Sequence, residues 1–186
     1  MGSEMCIRDR AYLGQVFNAL ALPVSQTRGS IDDYIGDLAL VTWTMERGTR
    51  DAACLRCVFD FAARLAAESE AWRSRFGQVP EFRAALHCGS VVTAEIGLER
   101  HKIAYFGDVV NTTARLETLS KTLGVHVLVS TDLLRRLGPL PADLVAEDLG
   151  AHTLRGRAEP LAVAAIRRRA PAAAPAAPVQ SQAVPG

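Results

Sequence analysis

HKIAYFGDVVNTTARLE, residues 101–117, carries the densest signal in the chain. Residues 103–106 are rich in β-formers and stop at Gly107-Asp108. The run 109–123 then places Val110, Ala114, Leu116 and Leu119 at helical spacing and ends at Gly124, which predicts a helix. Asn111 and Arg115 stand four apart and so share one face of that helix, a turn from each other. An amide and a guanidinium so placed can hold a sugar oxygen and a phosphate together. In an isolated NxxxR the ordinary reading is a capping asparagine and a solvated arginine, so the neighbouring sequence has to decide.

Working outward, residues 82–87 and 91–96 read as two strands around Cys88-Gly89-Ser90, a hairpin. Before them, residues 51–76 form the longest periodic segment: Leu55, Val58, Phe59, Ala62, Leu65, Ala66 and Trp72 fall on one side, so one amphipathic helix on a sheet is expected. Residues 31–45 are rich in β-formers and interrupted by Gly36-Asp37, two short strands with a tight turn that presents Asp37. Residues 12–24 look like the tail of a helix ended by Pro23. Downstream, 125–129 is a β-branched strand, Ser130 caps a helix to Leu137, and 144–149 and 161–166 are strands. Strands and helices are mixed without strict alternation, which predicts an α+β domain with helices packed on a largely antiparallel sheet. Residues 170–186 are dominated by Pro and Ala and are expected to be disordered. Residues 1–10 show no periodicity and are set apart as a non-native or disordered start, leaving 11–169 as the domain.

The chain has 186 residues, about half apolar, enough for one domain with a sizeable core. Lysine plus arginine number 21 against 20 acidic residues, so no basic field draws it to nucleic acid or anionic lipid, and an anionic ligand must be met by a few placed cations. Four irregularly spaced cysteines do not form a secreted disulfide framework. A reducing, cytoplasmic setting is expected. No run of about eighteen apolar residues occurs. No GxxxxGK[ST] occurs either, which excludes a P-loop enzyme. His87 reads as a satisfied core histidine, and His101, His126 and His152 lack metal-ligand spacing. Cys54 and Cys57 form a CxxC inside a helix without a second pair, a structural reading. Glu95 and Glu99 bracket Gly97 in a loop where exposure explains them.

The segment 101–117 resembles the signature of the class III nucleotidyl cyclases, approximately G-D-x-V-N-x-x-A-R-L-E, with Gly107, Asp108, Val110, Asn111, Ala114, Arg115, Leu116 and Glu117 in register. The likeness continues at Tyr34-Ile35-Gly36-Asp37, at Phe82 through Gly89, at Glu95-Ile96-Gly97, at Asp148-Leu149-Gly150 and at Leu154-Arg155-Gly156. Together these separated motifs, in order, cover residues 11–168. The resemblance implies a ferredoxin-like cyclase fold whose first strand, with one of two metal-binding aspartates, is missing here.

It also implies the chemistry. Two divalent ions, Mg²⁺ or Mn²⁺, would polarise the α-phosphate of ATP and help deprotonate the ribose 3′-hydroxyl, and Asp37 matches the second metal aspartate. Arg83 would lie near the triphosphate on the same subunit. Asn111, Arg115 and Arg155 would come from the partner of a head-to-tail homodimer: Asn111 to orient the ribose, Arg115 to stabilise charge on the α-phosphate, Arg155 to meet the terminal phosphates. Arg155 replaces a usual lysine, exchanging a point donor for a fork. The base-reading places hold Asp33 and Ala104 where adenine-specific members often carry lysine and aspartate or threonine. ATP is expected, with GTP the alternative, since Asp33 can accept from either base. A regulator, either a sensor or a membrane domain, is expected upstream, and the chain alone is expected to be nearly inactive. The rival is a catalytically silent, cyclase-like nucleotide-binding or dimerisation module. A GGDEF-like diguanylate synthase would share the topology, but no GG[DE]EF occurs.

Overall fold

All four residues of β6 (Val127–Ser130) are buried in the computed structural model, because helices cover both faces of the sheet to which this strand belongs. The structure describes residues 2–96, 102–157 and 159–169. That sheet has the order β3 (Ala84–Leu86), β6, β8 (Leu161–Arg168), β7 (Leu144–His152). β3 runs parallel to β6, and the other two pairings are antiparallel.

Alternation along the strands sorts the core into two layers. Val127, Val129 and Ile166 join Leu55 and Val58 of α3 (Ala53–Ala67) and Leu133 and Leu137 of α6 (Thr131–Leu137). Leu128, Val163 and Ala165 join Leu116 of α5 (Asp108–Leu123), together with Leu154 and Leu161. Leu116 and Leu128 are fully buried, so α5 is fixed to the sheet by its own apolar stripe. A third cluster holds α1 (Gly2–Gln26) to α3 and α4 (Ser69–Phe76) through Ala19, Phe61, Leu65 and Trp72.

Two hairpins stand apart from this sheet. β1 (Ser30–Ile35) pairs with β2 (Leu38–Thr42), and β4 (Val92–Ile96) with β5 (Lys102–Phe106), each as a separate antiparallel pair. α2 (Met45–Thr49) follows the first hairpin, with the Thr44 side chain accepting from the Arg47 N–H.

The mixed α+β character, the Gly36-Asp37 hairpin and the helix over 109–123 match the sequence reading. Three features differ. Residues 82–87 and 91–96 do not form a hairpin: β3 is drawn in beside β6, where Leu86 is buried, while β4 carries exposed Val92 and turns back onto β5. The single helix expected over 51–76 is two, broken at Glu68, and the break lets Trp72 join Phe61 and Leu65 against α1. The first helix runs back across residues 2–10 and continues three residues past Pro23. Gly97, Glu99, His101 and the tail 170–186 lie outside the described residues.

Candidate functional site

The chemistry-bearing residues fall into two groups. The first is on the β1–β2 hairpin. Ile35 and Leu38 are paired, so Gly36-Asp37 is a two-residue turn, and Gly36 takes φ 65°, which glycine adopts without a Cβ clash. Asp37 is exposed at the tip. Asp33 is half-buried, and its Oδ1 accepts from the Tyr34 N–H at 3.0 Å. The register shifts between Ile31 and Asp33, which makes Asp32 a bulged residue. Its carboxylate accepts from the Ser30 and Thr42 hydroxyls. Burial raises the Tyr105 phenol, which lies near Thr42 and Asp32 and so brings the second hairpin beside the first. Asp32 is thus engaged structurally, and Asp33 occupies the adjacent position, the one singled out for the base.

The second group is on α5 and the β7–β8 connection. Asn111 is exposed in the first turns of α5. It does not cap the helix, whose N-cap is Gly107. Arg115 lies one turn on and is half-buried, with Nη1 enclosed and without a hydrogen-bond partner among the described residues. What encloses it is a turn over Leu154–Arg157. The Arg157 N–H donates to the Leu154 carbonyl at 3.0 Å, and Gly156 sits third in the turn at φ 75°, the position where a type II turn needs positive φ. A Cβ on Gly156 would lie 3.2 Å from Nη2 of Arg115, so the bare backbone rests on the guanidinium. Arg155, second in the turn, is exposed. The fold therefore brings Arg115 and Arg155 to one place although forty positions separate them.

Arg83 is exposed just ahead of β3. Among the described residues no ion pair joins Asp37 to Arg83, Arg115 or Arg155. Sequence reasoning assigned no role to Arg157, Thr112 or the Asp108 side chain. Yet Arg157 Nη1 donates to Asp108 Oδ2 at 3.3 Å and to Thr112 Oγ1 at 3.2 Å, and Thr112 Oγ1 donates to the same carboxylate oxygen at 3.1 Å. The available signal was spacing: 108, 112 and 115 recur at i, i+4 and i+7, one helix face.

Glu95, expected in a loop, lies in β4, and His87 fits the reading of a satisfied histidine. His87 Nδ1 shares a hydrogen bond of 2.8 Å with Ser130 Oγ, and burial, then the nearby Arg157 charge, pulls its pKa below the usual histidine value. Burial pushes the Cys54 thiol up to about 12 and the Cys57 thiol to about 11, the behaviour of cysteines packed in an apolar setting. Among the described residues no three His, Cys, Asp or Glu side chains are grouped to hold a metal ion. Asp37 alone offers an open carboxylate at the tip, which suits a Mg²⁺ ion completed by phosphate oxygens and water but not an all-protein cage.

The family described as "Adenylate and Guanylate cyclase catalytic domain" matches residues 13–164. The chain belongs to this family. It is similar to adenylate cyclase 2 of Rhizobium meliloti (strain 1021), 54% identical over 160 residues covering 86% of this chain and 44% of that protein. A more distant relative is the photoactivated adenylate cyclase subunit beta of Euglena gracilis, 24% identical over 140 residues, 75% of this chain and 16% of that one. The chain thus spans less than half the length of these curated relatives. Among solved structures, the adenylyl cyclase CyaB from P. aeruginosa superposes with a TM-score of 0.69 at 17% identity, covering 87% of this chain and 83% of that one. The guanylyl cyclase Cya2 gives 0.67 at 19% identity, covering 86% and 80%. The cyclase fold is shared with both, and at that identity the fold is all the likeness shows. No helix among the described residues is long and apolar enough to cross a membrane.

Proposed function

We propose that the chain is an adenylate cyclase catalytic domain that converts ATP to 3′,5′-cyclic AMP and pyrophosphate in a site shared by two copies. The observation that carries this reading is the Arg115 guanidinium, whose enclosed Nη1 lacks a partner while Arg155 stands in the turn above it. Adjacent cations with spare donors are complementary to a polyphosphate. The 54% identity to a protein named adenylate cyclase 2 favours ATP over GTP.

In the reaction the ribose 3′-oxygen attacks the α-phosphorus, its proton leaves to solvent or base, and the bond to the β-phosphate oxygen breaks to release pyrophosphate. Asn111 holds the ribose, Arg115 meets the charge that grows on the α-phosphate, and Arg155 and Arg83 hold the outer phosphates. Asp33 faces the base. Asp37 supplies one carboxylate to a Mg²⁺ or Mn²⁺ ion, which when bound adds Lewis-acid stabilisation to the phosphate oxygens.

A shared site is supported by where the two groups stand. Asp37 sits on a hairpin that has no strand pairing to the main sheet, flanked by Ile35 and Leu38, which are 60% and 43% exposed. Apolar side chains exposed around a functional carboxylate suit contact with a second protomer.

The test is a mixing assay. A longer cyclase subunit of the Rhizobium type is disabled at its positions matching Asn111 and Arg115 and mixed with this chain. Cyclic AMP is expected from the mixture and hardly at all from either component alone. Arg115→Ala in this chain should lower the mixture's rate roughly 10²- to 10³-fold. A mixture no more active than its parts overturns the shared-site reading. Nucleotide binding without turnover would favour the silent module.

A further inference from the structure

The Leu154–Arg157 turn is held at both ends by different chemistry. At its start, Leu154 is buried against Leu116 in the core layer under α5. At its end, the Arg157 guanidinium reaches the first turns of α5 and closes a triangle with Asp108 and Thr112 at 3.3 and 3.2 Å. Thr112 is fully buried, and the Arg157 side chain is 23% exposed. The Asp108 side chain is 64% exposed, so the contact to Thr112 is the sheltered arm and the ion pair to Asp108 is partly screened by solvent. Asp108, Thr112 and Arg115 line one face of α5, so the turn lies along that face with Arg157 over the first two and Gly156 over the third.

We propose that Arg157 is a positioning residue: by anchoring to Asp108 and Thr112 it holds the Arg155-Gly156 backbone against Arg115 and so presets both cations for an anion. This deepens the reading of the site as a triphosphate cradle and rests on it. The physical need is plain. Two guanidinium-bearing residues repel each other, and without an anion nothing between them favours their approach. Leu154 fixes the height of the turn above α5 but, being apolar, not its slide along the helix. A directional anchor at the other end supplies that restraint, and one guanidinium nitrogen, Nη1, shared between a carboxylate and a hydroxyl is directional in a way that apolar packing is not. The backbone of Gly156 leaves room for the guanidinium beneath, which a side chain there would occupy.

The experiment uses the full chain and two readouts. The Nε–Hε signal of Arg115 is followed in ¹⁵N-arginine NMR, assigned by its loss in Arg115→Lys. Binding of inorganic tripolyphosphate is measured by calorimetry. Arg157→Ala should shift or broaden the Arg115 signal and weaken tripolyphosphate roughly tenfold, the loss expected of a charge-assisted hydrogen bond. Arg157→Lys should recover part of both, and Thr112→Val, which keeps the buried volume, should move the Arg115 signal in the same direction even if Arg157→Ala proves too unstable to study. An Arg115 signal and an affinity unchanged in folded Arg157→Ala and Thr112→Val would overturn the proposal. If the Arg115 signal moves but tripolyphosphate binds neither variant nor the parent chain, the positioning role stands and the triphosphate reading of the site falls instead.

Discussion

The β1–β2 hairpin and the α5 face with its covering turn carry the two halves of the candidate site, and they are held in opposite ways. Behind Arg115 stand fully buried Leu116 and Thr112 and the buried Leu154. Behind Asp37 stand a two-residue turn and the exposed side chains of Tyr34, Ile35 and Leu38, with Phe17 of α1 stacked on Tyr34 at 4.4 Å between ring centroids. The cationic half is therefore preorganised by the protomer's own core. The carboxylate half is presented on an exposed, narrow support. In the shared site proposed above, one protomer's rigid cations would meet another's exposed carboxylate, and a surface used in that way would have to stay uncovered in the single chain.

The strongest way to break that contrast is to hollow out the rigid half. Leu116→Ala removes a fully buried side chain between α5 and the sheet and should cost about 2 to 5 kcal/mol in chemical denaturation. Gly156→Ala comes next. It places a methyl at a positive φ and within 3.2 Å of the Arg115 guanidinium, and should cost about 1 to 2 kcal/mol while weakening triphosphate binding. A smaller effect is expected from pH. The folded state holds His87 below its usual value of 6.5, so the unfolded chain binds the proton more readily. Stability should then be fully present above 6.5 and fall as the pH drops through that value toward the lowered folded one, and His87→Asn should flatten this slope in melts taken across the range. The smallest effect belongs to the hairpin: Tyr34→Ala should change stability by only about 0.5 kcal/mol, yet reduce self-association measured by sedimentation. A Tyr34→Ala loss as large as that of Leu116→Ala would show that the two halves are supported alike.

Much of this was legible in the linear chain. The 3.6-residue period over 109–123 and the stop at Gly124 gave α5, and the β-formers around Gly36-Asp37 gave the first hairpin, since both are short-range consequences of side-chain periodicity and turn chemistry. The pairing of β3 was not legible. Residues 84–86 and 92–96 are both apolar and close in sequence, and which of them enters the main sheet depends on β6, about forty positions further on. The break at Glu68 was hidden for a related reason: helical periodicity continues across it, and the bend is set by the packing of Trp72 on α1.

For the candidate site the same division holds. The order and spacing of the motifs marked Asp37, Asn111, Arg115 and Arg155 as chemically loaded, because residue type and local conformation are properties of short segments. That Gly156, next to Arg155, lies over Arg115, and that Arg157 reaches Asp108 and Thr112, was decided by tertiary structure alone. The turn at Leu154–Arg157 and the face of α5 are brought together by burial of Leu154 against Leu116. A contact made by core packing across some forty residues leaves no periodic trace in the sequence that produces it.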